Sequence, residues 1–272
     1  MNRIDKTLAK LKANNKKMLS PYITAGDPHP KMTVALMHEL VDSGADILEL
    51  GIPFSDPMAE GPVIQHAMER ALAHSITCHD VLNMVKEFRE QDQNTPVVVM
   101  GYLNPIEQYG YDLFAQHAVE AGVDGTILVD LPPEEGAGVY RVWQKHGLQS
   151  IYLCSPTTSA DRMDLINQYA DGYLYYVSLK GVTGSDALNI ASLKAQYEQR
   201  KAQTKLPLMV GFGIKTAEMA SDVASFADGV IVGAALISEI LEAHESNKNA
   251  LHAGGALISS MRKAMDNNGN KA

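Results

Sequence analysis

At 272 residues, with 46% hydrophobic and 20% charged side chains, the chain has the composition of a globular protein able to bury a large core, which excludes a disordered polymer. A net charge of -9 and a pI near 5.4 argue against a nucleic-acid or anionic-membrane surface and still allow a local phosphate site. Cys78 and Cys154 offer no disulfide framework or zinc spacing and are expected as reduced core thiols; the charged amphipathic N-terminus, with no run near the ~18 apolar residues of a membrane span, points to the cytoplasm.

Ile4, Leu8 and Leu11 recur at helical spacing, so residues 2 to 13 read as a leading helix that the patch Asn14 to Lys17 ends. Met18 to Ala25 is a first strand, closed by Gly26-Asp27-Pro28, and Met32 to Val41 a helix ending at Ser43-Gly44. Asp46 to Leu50 is a second strand, followed by two helices, Val63 to Ala73 and Val81 to Phe88, the pair being an insertion. Val97 to Met100 is a third strand; Asn104-Pro105 is expected to break the chain before a helix from Leu113 to Ala121. Gly125 to Val129 is a fourth strand with Asp130 just past it, and Pro132-Pro133-Glu134-Glu135 is expected to start a helix that Gly147 stops. Ser150 to Leu153 and Tyr173 to Val177 are the fifth and sixth strands, separated by a helix capped at Thr158-Ser159-Ala160-Asp161. A long polar stretch from Ser178 to Asn189, holding Gly181-Val-Thr-Gly184, suggests a functional lid before a helix from Leu193 to Ala202. Leu208 to Val210 and Gly229 to Val232 complete eight strands, with helices at Ala217 to Phe226, Ala234 to His244 and Leu251 to Ala264, and a tail from Asp266 expected to fray.

Eight short apolar strands, each followed by helix and with no linker between them, fit α/β architecture as a single (β/α)8 TIM barrel domain over residues 1 to 272, with an extra N-terminal helix and inserted helices. Chemistry in that fold sits at the C-terminal ends of the strands, where Glu49, Asp130, the Gly181 loop and Gly211-Phe-Gly213 all fall. Glu49 lies inside an apolar run, and burial without a cation keeps a carboxyl protonated near neutrality, as a general acid requires; the bland alternative pairs it with a buried Lys or Arg. The loop after it carries Asp56 and Glu60 between Pro53, Pro57 and Pro62. Gly211-Phe212-Gly213 and Gly233-Ala234 each lead into a helix after the last two strands, where backbone N–H groups can hold a phosphate; either alone could be a plain tight turn. His74, Cys78 and His79 fall between helices, away from the strand ends, and argue no metal site.

The segments Tyr22-Ile-Thr-Ala-Gly-Asp-Pro28, Glu49-Leu-Gly-Ile-Pro-Phe-Ser-Asp-Pro57, Gly61-Pro-Val-Ile-Gln65, Met100-Gly-Tyr-Leu-Asn-Pro105, Asp130-Leu-Pro132, Gly181-Val-Thr-Gly184 and Gly211-Phe-Gly-Ile214 together resemble the tryptophan synthase α subunit family, over nearly the whole chain. The resemblance implies cleavage of indole-3-glycerol phosphate to indole and glyceraldehyde 3-phosphate, with indole passed to a β subunit. It implies no cofactor in this chain, pyridoxal phosphate being expected only in that β subunit, and an α2β2 complex. It assigns acid and base work to Glu49 and stabilisation of the ring cation to Glu60, where the family usually has Asp one methylene shorter.

The same likeness makes Tyr22, Met100, Ile127, Tyr175 and Phe212 indole-pocket candidates, Met100 and Ile127 being equally readable as core. Thr183 would close over the site, and Gly184, Gly213, Gly233 and Ala234 would hold the phosphate, Ala234 standing where Ser is common and Leu179 where some members carry Arg. Asp56, Pro57, Asn104 and Pro105 would face the partner, or serve as loop scaffolding. Rival readings are another phosphate-binding barrel isomerase or epimerase, and a catalytically weak module that activates a β subunit.

Overall fold

The computed structural model describes residues 1–178, 190–211 and 213–268. The Gly181 loop, and with it Thr183 and Gly184, lies outside the described residues, as does Phe212. Eight strands, β1 (Met18–Thr24), β2 (Leu48–Gly51), β3 (Val97–Gly101), β4 (Gly125–Leu128), β5 (Gln149–Cys154), β6 (Leu174–Val177), β7 (Leu208–Gly211) and β8 (Gly229–Val232), pair in parallel in chain order. β8 pairs back onto β1, closing a (β/α)8 barrel. The α-helices of the described residues are α1 (Arg3–Ala13), α2 (Thr33–Asp42), α3 (Pro62–Ala73), α4 (Cys78–Phe88), α5 (Leu103–Tyr109), α6 (Tyr111–Ala121), α7 (Ala137–His146), α8 (Ala160–Tyr169), α9 (Ile190–Lys201), α10 (Ala217–Ala224), α11 (Ala234–Glu245) and α12 (Ala250–Asn268), with a 3-10 turn at Pro30–Met32 leading into α2.

The period of two along each strand divides the apolar residues into two cores. Leu19, Leu48, Leu50, Val97, Val99, Leu174, Val210 and Val230 face outward and pack under the helices. Residues of the other parity, among them Met18, Tyr22, Ile47, Val98, Met100, Ile127, Ile151, Tyr173 and Met209, fill the barrel. Glu49 shares the parity of Ile47, so it enters an interior lined mostly by apolar and aromatic side chains, with Ser20 among them. Ile4, Leu8 and Leu11 on α1 join this inner cluster, so α1 covers the N-terminal end of the barrel beside Met18.

That end is held by carboxylates that accept from an N–H in the first two residues of a neighbouring strand. Asp46 accepts from Leu19 N at 2.9 Å, Asp124 from Val97 N at 2.9 Å and Asp228 from Leu208 N at 2.9 Å. Asp124 is buried and also pairs with Arg89 (2.9 Å) and Arg3 (3.0 Å), so its charge is balanced where water is excluded.

Three local expectations are corrected. Asn104-Pro105 does not break the chain but lies inside α5, because Pro105 occupies the first helical turn, where a missing N–H costs no intrahelical bond. Pro132 to Glu135 do not start a helix. They form turns, with Glu135 N bonded to Pro132 O (3.0 Å) and Gly136 N to Pro133 O (3.3 Å), because a proline following Pro132 disfavours helical geometry there; α7 begins at Ala137. Asp266 does not fray: α12 continues to Asn268, and Asp266 pairs with Lys16 (3.0 Å) and Arg262 (2.6 Å).

Candidate active site

Glu49 is fully buried in the barrel interior, on the strand register that sets it beside Tyr22. Its Oε1 accepts a hydrogen bond of 2.7 Å from the Tyr173 hydroxyl, and its Oε2 has no partner among the described residues. The pairing with a buried Lys or Arg, open from sequence, is not what holds it. Burial pushes the carboxyl up to about 8, against the smaller opposing pull of Tyr173 and of Ser20, whose hydroxyl donates to Ile47 O at 3.1 Å. Glu49 is therefore held protonated at neutrality, with one oxygen fixed and the other buried without a hydrogen-bond partner among the described residues.

Glu60 is half-buried in the loop after β2, and burial raises its carboxyl to about 7. The loop is pinned by Ala59 N donating to the Tyr102 hydroxyl (3.0 Å) and by Phe54 stacking on Tyr102 at 5.1 Å between ring centroids. Within it, Glu60 N bonds to Pro57 O (3.1 Å), and Gln65 at the start of α3 donates to Glu60 O (2.8 Å), which fixes the backbone that carries the carboxyl. Burial first, and then the charges of Glu60 and Glu49, raise the Tyr22 phenol well above its usual range. The Tyr175 phenol is raised by burial and by the same two carboxyls, Glu49 ahead of Glu60. The two acids thus bear on one pair of aromatic side chains.

Tyr22 and Tyr175 lie across strand-end glycines. A Cβ at Gly51 would collide with the Tyr22 hydroxyl, and one at Gly211 with the Tyr175 ring, so both aromatic placements require glycine on the neighbouring strand. Met100 and Ile127 are buried register neighbours on β3 and β4 and belong to the same inner cluster as Tyr22. Gly233 caps α11 without a side-chain bond, and a Cβ placed there would touch the Tyr22 ring at 3.5 Å; Ala234 is the first residue of that helix. The first N–H groups of α11, which have no carbonyl one turn back, therefore open next to the pocket. Gly213, just after β7, adopts the left-handed region (φ 82°), which favours glycine.

Asp56 and Asn104 are exposed, with Pro57 and Pro105 half-buried beside them, and the Tyr102 contacts bring their two segments together on the C-terminal side of the barrel. Met58, between them, is 77% exposed. Asp130 is not aimed into the pocket: its carboxylate accepts from Leu103 N at 2.7 Å and holds the first turn of α5. His74 ends α3 and meets the His29 ring at 5.1 Å in a tilted arrangement, and Cys78 and Cys154 are free thiols pushed up to about 12 by burial.

Sequence reasoning missed Tyr173, Ser20 and Tyr102. Tyr173 has the parity of Tyr175, which marks both as inward-facing. What joins Tyr173 to Glu49, 124 positions earlier, is closure of the barrel.

The family profile for the tryptophan synthase alpha chain matches residues 8–266. A tryptophan synthase alpha chain of Legionella pneumophila (strain Lens) is 80% identical over 269 residues, covering 99% of each chain, and one of Laribacter hongkongensis is 52% identical over 98% of this chain and all of its own. The crystal structure of tryptophan synthase subunit alpha from L. pneumophila strain Paris superposes with a TM-score of 0.95 at 78% identity, covering 98% of this chain and 99% of that one. A chain of the aminoacrylate-bound tryptophan synthase of M. tuberculosis superposes with a TM-score of 0.86 at 31% identity, covering 97% of this chain and all of that one. Over nearly its whole length, this chain belongs to the tryptophan synthase alpha chain family.

Proposed function

We propose that the chain is a carbon–carbon lyase that cleaves indole-3-glycerol phosphate to indole and glyceraldehyde 3-phosphate in tryptophan biosynthesis. The observation that carries this reading is Glu49: a protonated carboxyl inside the barrel, one oxygen held by Tyr173 and the other without a partner among the described residues. Protonation of indole C3 by Glu49 places positive charge on the ring nitrogen, and the Glu60 carboxylate stabilises that charge. The Glu49 carboxylate then takes the proton of the glycerol hydroxyl as the bond to C3 breaks. The bond's electrons return to the ring, the aldehyde leaves, and Glu49 is protonated again.

Tyr22, Met100, Ile127, Tyr175 and Phe212 form the indole pocket in this reading. Gly184, Gly213, Gly233 and Ala234 hold the phosphate, and Thr183 closes the site. The open first turn of α11 beside Tyr22 supports the phosphate end. The steps are proton transfers that two carboxyls can carry, so this chain draws on no cofactor; pyridoxal phosphate belongs to the β subunit. We assign Asp56, Pro57, Asn104 and Pro105 to the face that meets that subunit in a cytoplasmic α2β2 complex, in keeping with their shared side of the barrel.

The test is release of indole and aldehyde from indole-3-glycerol phosphate by the purified chain, with and without a β subunit. Glu49→Gln should abolish turnover while leaving glycerol phosphate binding nearly intact. Unchanged turnover would remove Glu49 from the mechanism.

A further inference from the structure

A second cavity, of about 340 Å³, lies at the opposite end of the barrel, between the end of α1, the start of β1 and the segment joining α9 to β7. Along β1, Met18 in its lining and Tyr22 in the candidate active site are four residues apart, about 13 Å. Its lining carries five lysines, Lys12, Lys16, Lys17, Lys201 and Lys205, out of 23 Lys and Arg in a chain of net charge -9. The single acid in the lining, Asp228, is already engaged: it accepts from Leu208 N (2.9 Å), pairs with Lys201 (2.8 Å) and lies 3.3 Å from the Tyr197 hydroxyl. Lys16 is matched by Asp266 at 3.0 Å. Lys12, Lys17 and Lys205 have no ion pair or side-chain hydrogen bond with the described residues, so about three positive charges converge on one concave surface without compensation.

The lining also carries apolar surface: Leu8 and Pro207 are half-buried, over the buried Met18 and Met209. A ligand that satisfies both features needs several negative charges and a flat or apolar body. Inorganic phosphate meets only the first requirement, and an aromatic monocarboxylate only part of it. We propose that this cavity is a binding site for a nucleoside di- or triphosphate, the phosphates lying among Lys12, Lys17 and Lys205 and the base against the apolar surface of Leu8 and Pro207. Clustered ammonium groups beside a low-dielectric wall raise the local concentration of such an anion despite the protein's overall negative charge. The assignment is independent of the lyase reading, since none of its residues belongs to the candidate active site.

The test is calorimetric titration of the intact chain with ADP, ATP and pyrophosphate at low ionic strength, repeated on the triple variant Lys12→Gln/Lys17→Gln/Lys205→Gln. One ADP site is expected, with affinity falling by at least about tenfold in the triple variant, in line with three lost ion pairs. Cleavage of indole-3-glycerol phosphate should keep its kcat and KM in that variant, which separates this site from phosphate binding at the other end. Lys205→Gln alone, a change at one exposed position, should weaken ADP by about threefold and serves if the triple variant folds poorly. The proposal is overturned by no ADP binding up to about 5 mM, by affinity unchanged in the variants, or by pyrophosphate binding as tightly as ADP.

Discussion

Replacing Glu49 by glutamine should make the protein more stable as well as inactive, and the gain should grow with pH. In the folded chain the Glu49 carboxyl keeps its proton up to about pH 8, compared with an ordinary value of 4.5. A carboxyl raised in this way binds its proton more tightly folded than unfolded. Between the two values the folded state holds one proton more, and stability falls as pH rises, by about 1.36 kcal/mol per pH unit. At pH 7 the accumulated cost is about 3 kcal/mol, and near pH 8 about 5 kcal/mol. Glutamine has nearly the same shape, keeps an oxygen to accept from Tyr173 and does not titrate. Urea unfolding of both proteins from pH 5.5 to 8 should therefore show the stability difference moving in favour of Glu49→Gln by about 3 kcal/mol across the range, all other titrating groups being common to both. A difference that does not change with pH would refute the claim that burial keeps this carboxyl neutral.

Tyr173→Phe removes the one donor that favours the Glu49 carboxylate at Oε1, so the alkaline fall of kcat/KM for indole release should move up by about one pH unit, as expected when a bond of ~1.5–3 kcal/mol to the charged form is lost and the neutral acid had used part of it. Gly211→Ala places a methyl group against the Tyr175 ring; repacking should cost about 1–3 kcal/mol in thermal unfolding and raise KM, because the displaced aromatic belongs to the proposed indole pocket. Asp124→Ala leaves Arg89 buried without its counter-charge and exposes no new contact to the active end. It should lower unfolding free energy by about 3–5 kcal/mol while folded enzyme retains its kcat.

The strands were legible because their signal is local: short apolar runs between Gly, Pro and polar turns, eight times over, with helical spacing between them. Errors fell where proline can be read in two ways. Pro105 sits in a first helical turn, whereas Pro132-Pro133 holds its segment in turns, and the difference rests on hydrogen bonds that a composition rule does not see. The end of the last helix was misplaced because Asp266 reads as part of a polar tail until Lys16, from the other end of the chain, is brought to it.

For the site, sequence by itself determined which residue types stand at the strand ends: an acid in the apolar second strand, a second acid in a proline-stiffened loop, and glycine turns leading into helices. Parity then dictated that Glu49 faces the same side as Ile47, since side chains alternate along a strand. Only the closed barrel decided what surrounds that acid. Ring closure sets β6 opposite β2, so that Tyr173, not a cation, meets Oε1, and it stacks Tyr22 and Tyr175 over glycines of neighbouring strands. A pKa depends on how much water remains and which partners replace it, and both are properties of three-dimensional packing. The lysine-lined cavity has the same origin: Lys12 and Lys205 are 193 positions apart in the chain and share a surface only because the start of β1 and the start of β7 open at one end of the barrel.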